Sequence, residues 1–368
     1  MKILITGATG IVGGAATAAL IEASHIRDLL FLIRADTREE GVGRLKDSLS
    51  KSRVSEDLLD LFQPDQIILG DLADVEDFAS DIRLDSVTHV LNCAAVASFG
   101  NHPSIWPVNV KGTVAFARRM SIVPGLQRFL HVGTAMACGR GKISPVHESW
   151  DLATEEDHLV PYTISKAEAE RQMHRDIPDL PLVVARPSIV VGHSQLGCEV
   201  SSSIFWVFRM AQEIGGFLCS FDDLVDVVPV DYCATALKVL LLKERLNTNL
   251  YHVSAGTVGG DSFREIERVM AVARGIEPLG ARYHRFTVDE IPALAPQFQQ
   301  RLGIKNRRLI AMALRLYGGF SELNYLFDNS RLIAEGVPPP PRFVDYVTRC
   351  VETTKDMPLL EQMLDDFK

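Results

Sequence analysis

Short, largely apolar runs alternate with stretches of helical length through the first half of the chain. The runs cover residues 2–6, 29–33, 66–69, 87–92, 128–132 and 181–185. A strand that is apolar on both faces has to be covered on both faces, and the amphipathic stretches between the runs supply that cover. The pattern predicts an α/β fold, a doubly wound parallel sheet with helices on each side. Right-handed crossovers then bring every loop that follows a strand to one edge, where open α/β sheets bind ligands.

Beyond about residue 190 the alternation fades and helical periodicity takes over, at 202–214, 231–243, 263–273, 309–316 and 342–351. This predicts a sheet domain over residues 1–190 and a smaller, mainly helical C-terminal substrate lobe over residues 191–368. One strand candidate, at 250–254, is placed to return to the sheet. The four prolines from Pro338 to Pro341 have no amide donors and read as a stiff, extended connector to the last helices.

A chain of 368 residues suits one large domain or a domain with an attached lobe. Its net charge of −9, from 38 basic and 47 acidic side chains, excludes a dedicated nucleic-acid binder, which needs a basic footprint. The six cysteines form no CxxC pair, so a reducing compartment is expected. Residues 1–6 run straight into a glycine-rich turn with no charged n-region or long apolar h-region, and a cytoplasmic location is the expectation. The most apolar long stretch, 203–219, carries Arg209 and Glu213 and falls short of a membrane span. Ten histidines without an HExxH motif or clustered ligand spacing predict no metal.

Directly after the first run comes Thr6-Gly7-Ala8-Thr9-Gly10-Ile11-Val12-Gly13-Gly14, followed by an Ala-rich helical stretch. Gly7, Gly10 and Gly13 at this spacing allow a tight turn, close backbone approach to a pyrophosphate, and helix-on-strand packing. The helix start, with Thr9, Ile11 and Val12, adds partial positive charge. The Rossmann-type fingerprint predicts a dinucleotide. The second run ends at Arg34, where an NAD-selective site would place a carboxylate for the ribose 2′-hydroxyl; a guanidinium suits a 2′-phosphate and predicts NADP(H). Gly70-Asp71-Leu72 and Asn92-Cys93-Ala94-Ala95 end the third and fourth runs on the same edge. Asp71 is placed to accept from the adenine amino group, and Ala94 and Ala95 leave room for the adenosine ribose.

Pro161-Tyr162-Thr163-Ile164-Ser165-Lys166 opens another helical stretch. Residues four apart share a helix face, so Lys166 lies beside the Tyr162 phenol, and an adjacent ammonium is expected to lower the phenol pKa toward neutrality. Lys166 is also placed to hold a nicotinamide ribose. Thr134 ends the fifth run on the ligand edge, where its hydroxyl can donate to a carbonyl oxygen, although an N-cap role suits it as well. Asn109 is read as helping to position Lys166, with a structural, helix-bonding role as the alternative.

These residues carry a resemblance. The glycine motif, the Thr134/Tyr162/Lys166 set and the length resemble an extended short-chain dehydrogenase/reductase. Within that superfamily, Arg186-Pro187-Ser188-Ile189-Val190-Val191-Gly192 and Val228-Pro229-Val230-Asp231-Tyr232 resemble the thioester-reductase and fatty acyl-CoA reductase branch of male sterility type. The tail segments Leu326-Phe327-Asp328-Asn329-Ser330-Arg331 and Pro340-Pro341-Arg342-Phe343-Val344-Asp345-Tyr346 resemble the C-terminal part of that branch. One position departs: Gly133 stands where many members have Ser. The resemblance implies that Pro187, Ser188 and Ile189 line the nicotinamide. It further implies NADPH-dependent reduction of an acyl thioester, on coenzyme A or an acyl-carrier protein, to an aldehyde and onward to an alcohol, by a monomer or homodimer.

Two other readings use the same residues: a hydroxysteroid-type or sugar-nucleotide dehydrogenase or epimerase of the superfamily, and a non-catalytic NADP-sensing protein. Arg301, Lys305, Arg307, Arg308 and Arg315 form a carboxylate-free basic stretch, either a docking face for coenzyme A phosphates or an acidic carrier, or a solvated helix face. Phe205, Trp206, Val207, Phe208 and Met210 read as an acyl pocket or as a helix buried all round.

Overall fold

The computed structural model describes residues 1–22, 26–201 and 203–366. Seven strands form one parallel sheet: β1 (Ile3–Thr6), β2 (Leu29–Ile33), β3 (Ile67–Leu69), β4 (His89–Asn92), β5 (Arg128–Val132), β6 (Leu182–Pro187) and β7 (Leu250–Val253). They lie in the order β7-β6-β5-β4-β1-β2-β3. Thr6 at the end of β1 pairs with Leu32 on one side and Asn92 on the other. The winding direction reverses between β1 and β4, and a crevice opens there beyond the carboxyl ends of the strands.

Side chains alternate along each strand, and on β1 and β2 both sets are largely apolar. Ile3, Ile5 and Phe31 join one core with α1 (Ile11–Glu22) and α2 (Arg38–Lys51). Leu4, Leu30 and Leu32 join the opposite core with α3 (Thr113–Ser121) and α4 (Pro161–Asp176). Both faces are buried, as a parallel sheet requires.

The lobe has its own core. It is built from α5 (Phe205–Ile214), then, after α6 (Val230–Leu242), from α7 (Phe263–Arg274), α8 (Ile291–Leu302), α9 (Arg307–Ser321) and α10 (Phe343–Thr354). The expected helix at 202–214 is seen from Phe205; Ser202 lies outside the described residues. A single cut at residue 190 does not separate the two cores. α6 packs with α1 on the sheet, and β7 is the seventh strand, so residues 230–253 belong to the sheet core. Asp226, at the crossing, is 2% exposed; its Oδ1 accepts from the Ala255 N–H at 2.7 Å and its Oδ2 from the Phe327 N–H at 2.9 Å. One carboxylate thereby joins the entry to α6, the end of β7 and the C-terminal segment. Among the described residues no helix is long and apolar enough to cross a membrane.

Candidate active site

Glycine is required at two places in the turn after β1. Gly7 has φ +71°, in the left-handed region, and a Cβ there would lie 2.6 Å from the Ala94 nitrogen. A Cβ on Gly13 would lie 2.2 Å from the Gly7 oxygen, so α1 can begin this close to the strand only without one. At Gly10 an added Cβ would meet only the Gly7 oxygen, at 3.3 Å, and Thr9, Gly10 and Ile11 are exposed. The open side of the turn presents the first N–H groups of α1 to the crevice, which is a cradle of the right chemistry for a pyrophosphate.

Past β2, Arg34 is exposed, its Nη1 3.4 Å from Asp71 Oδ2 across the rim. Asp71 Oδ1 accepts from the Ala73 N–H at 2.9 Å. Ala94 and Ala95 are partly exposed at the crevice. Two predicted contacts are not made by side chains. Leu72 points into the core with Leu4 and Val114, and its carbonyl packs against Gly112. Asn92 is fully buried; its Oδ1 accepts the Thr6 hydroxyl at 2.6 Å and its Nδ2 lies 2.9 Å from His131 Nδ1, which locks β1, β4 and β5 together beneath the crevice.

Tyr162 and Lys166 occupy the first two turns of α4, where Pro161 at the first helical position needs no N–H partner. Lys166 Nζ donates to the Val132 carbonyl at the end of β5, at 2.6 Å, which leaves two of its three donors for a ligand. Burial lowers the ammonium to about 8, and the Glu170 carboxylate opposes that fall. The expected lowering of the Tyr162 phenol is not found. Burial pushes it up to about 12, Glu170 adding in the same direction, because the ring lies under Phe99 and the ammonium is turned toward Val132. Tyr162 therefore holds its proton at neutral pH. Thr134 Oγ1 accepts from the Met136 N–H at 3.3 Å, as an N-cap, and keeps its own hydrogen for an acceptor in the cavity.

Asn109 does not touch Lys166. Its Oδ1 accepts from the Val96 N–H at 2.8 Å, and its Nδ2 donates to the Val96 carbonyl and to Ser165 Oγ, both at 3.0 Å. The side chain fastens the loop after β4 to α4, the structural alternative in the sequence reading.

Thr134, Tyr162, Ser188 and Ile189 line one cavity of about 310 Å³, which meets the glycine turn at Ile11 and Val12 and extends into the lobe. Ser188 Oγ is buried there beside the Asp226 carboxylate, whose charge it helps to hold. Pro187, ending β6, is buried. On the lobe side, Val207 and Phe208 of α5 face the cavity, whereas Phe205, Trp206 and Met210 are fully buried core residues, so both readings of that helix hold in part. Burial pushes the Asp226 carboxyl, also on the wall, up to about 6 against the bonds from Phe327 and Ala255.

Other wall residues were not anticipated. Phe99, on the loop after β4, stacks on Tyr162 with centroids 6.0 Å apart and on Tyr317 at 5.0 Å. An aromatic among Ala97, Ser98 and Gly100 at the ligand edge was the available signal. In the basic stretch, Arg301 donates to the Ile214 carbonyl and Arg307 to Gln299 Oε1, while Lys305, Arg308 and Arg315 are exposed at and along α9. Among the described residues no group of His, Cys, Asp and Glu is clustered to hold a metal ion.

Comparison with known proteins agrees with this architecture. The aldehyde reductase lnaA of Aspergillus flavus is 25% identical over 317 residues, covering 80% of this chain and 30% of that protein; the chain thus spans under a third of that relative. The terminal R domain of the myxalamid PKS-NRPS biosynthetic pathway has the same fold, with a TM-score of 0.76 at 19% identity over 96% of this chain and 90% of that one. A thiolation-reductase di-domain from an archaeal non-ribosomal peptide synthetase also has it, with a TM-score of 0.69 at 18% identity over 100% and 76% of the two chains. A family model described as male sterility protein matches residues 5–237, which is more than half of the chain, with the glycine turn, Thr134, Tyr162 and Lys166 inside the match. The chain belongs to the NAD-binding male sterility protein family.

Proposed function

We propose that the protein is an NADPH-dependent reductase that converts an acyl thioester to an aldehyde. The observation that carries the reading is convergence: Thr134, Tyr162 and Ser188 share one cavity with Ile11 and Val12 of the glycine turn. Gly7, Thr9, Gly10, Ile11, Val12 and Gly13 would hold the pyrophosphate, Arg34 the 2′-phosphate, Asp71, Ala94 and Ala95 the adenosine, and Pro187, Ser188 and Ile189 the nicotinamide. Bound NADPH supplies a hydride to the acyl carbon.

The residues of the chain supply the rest. As the carbonyl carbon becomes tetrahedral its oxygen gains negative charge, and the hydroxyls of Thr134 and Tyr162 are the donors that stabilise it. Tyr162, protonated at neutral pH, then gives its proton to that oxygen. Lys166, held at the Val132 carbonyl, offers its free N–H donors to the cofactor ribose. The resulting hemithioacetal breaks its C–S bond, releasing the thiol and the aldehyde, and a second cycle would take the aldehyde to an alcohol. Apolar walls and the Phe99 ring exclude water from the reacting groups. A carrier domain is the favoured thioester donor, since Arg308 and Arg315 lie on the exposed side of α9, whose Tyr317 and Phe320 line the cavity.

The test is NADPH oxidation with acyl-pantetheine thioesters, with release of free thiol and capture of the aldehyde as a hydrazone. The thiol released should equal the sum of aldehyde and alcohol formed. NADPH consumption with sugar nucleotides or sterols, and none with thioesters, would refute the proposal.

A further inference from the structure

The cavity continues past Thr134 and Tyr162 into the lobe, where rings share its wall with aliphatic residues such as Ile204, Val207 and Leu224. Phe99, Phe208, Phe217, Phe263, Tyr317 and Phe320 all face it. They form two groups. Phe208 and Phe217 lie nearly parallel to Phe263, with interplanar angles of 20° and 16°. Phe99 stacks on Tyr317 at 23° and contacts Phe320 with centroids 5.1 Å apart. Rings bind rings by offset and edge contacts that add to the burial of apolar area, so flat ring walls favour a flat ligand.

Volume sets the size. An enclosed apolar cavity of about 150 Å³ holds one benzene ring. The space here is about 310 Å³ and is shared with the reacting end at Ile11, Val12 and Thr134, which leaves room for one ring on a short spacer. The wall behind is closed by further packing. Phe208 contacts Phe343 with centroids 5.2 Å apart, and Tyr283, stacked on Phe221 at 4.2 Å, backs Phe263 at 5.8 Å. A polymethylene chain running straight on past Phe208 and Phe263 would have to displace these rings.

Charge sets the polarity. Among the described residues the lining contains no Lys, Arg or His and one carboxylate, Asp226, which already accepts two backbone N–H bonds. An ionised acyl group would enter unpaired, at high desolvation cost. Resting on the thioester-reductase reading, we infer that the acyl group taken by this site is an uncharged arylalkanoyl group, one ring on a short spacer.

The experiment is equilibrium binding of acetyl-, 3-phenylpropanoyl- and dodecanoyl-pantetheine to the NADP⁺-saturated protein by titration calorimetry. The aryl ligand should bind about tenfold tighter than either of the others, and Phe263→Leu should narrow that gap. Dodecanoyl binding as tight as aryl binding, or a gap untouched by Phe263→Leu, overturns the inference. Turnover with NADPH is read separately. A tenfold aryl preference in binding without NADPH oxidation would leave the pocket assignment standing and remove the reductase reading.

Discussion

Gly133 and Glu170 lie against one another so closely that a Cβ on the glycine would sit 2.0 Å from Glu170 Oε1. Glu170 is fully buried, and its Oε2 accepts from Arg186 Nε at 2.9 Å and Nη2 at 2.7 Å. The space beside Gly133 is given over to a carboxylate, and that carboxylate favours the charged form of Lys166. Gly133→Ser must push Glu170 off Arg186 or distort β5. A loss of about 3 kcal/mol in unfolding free energy is expected, since overpacking and a broken buried pair both contribute. Urea denaturation measures it; an unchanged midpoint and slope would show that the carboxylate moves aside freely.

Cofactor affinity should depend on pH through Lys166. Its folded value, about 8, lies below the ordinary amine range because burial disfavours the charge. The ammonium is present at neutral pH and is lost as pH rises through that value. NADPH affinity should be level below pH 7 and fall by up to about tenfold per unit above pH 8. Lys166→Met should bind weakly with no such dependence. A dissociation constant that is the same at pH 7 and pH 9 in the wild-type protein would contradict the assignment.

Preference for the 2′-phosphate should reside in Arg34. The guanidinium is exposed, and its contact with Asp71, 3.4 Å long, is weak enough to yield to a phosphate. Arg34→Asp should lower the NADPH/NADH ratio of kcat/KM by roughly a hundredfold, because it removes a charge-assisted bond and adds a repulsive carboxylate. An unchanged ratio would move selectivity elsewhere.

The sheet was legible because its signals are local. Each strand is a short apolar run, and the glycine turn carries its own spacing, so β1, β2 and β5 fall within a residue of their expected ends. The lobe was less legible. Helix α9 was expected to stop at Leu316, before Gly318-Gly319, yet it continues to Ser321 and so brings Tyr317 and Phe320 to the cavity. Gly318 does not end the helix; its missing Cβ would lie 2.7 Å from Leu218 Cδ2, so the glycine is there for close packing. Helix α8 was not expected, since Pro292 and Pro296 obscure its periodicity. Within the site, spacing along α4 put Tyr162 and Lys166 on one face. It could not tell that the ammonium turns to Val132, nor that Phe99, from a distant loop, covers the phenol. Asn92 and Asn109 lie at the expected edge, but their partners are backbone and side-chain groups brought together only by the fold.

The most direct measurement is the turnover of Tyr162→Phe alongside its affinity for NADPH. Removing one hydroxyl takes away the proton donor and leaves the glycine turn, Arg34 and Lys166 in place. Turnover with an acyl-pantetheine thioester should fall by about 10² to 10⁴-fold while the NADPH dissociation constant stays within about threefold of wild type. Turnover near the wild-type rate would contradict the account, as would a loss explained wholly by failure to bind NADPH.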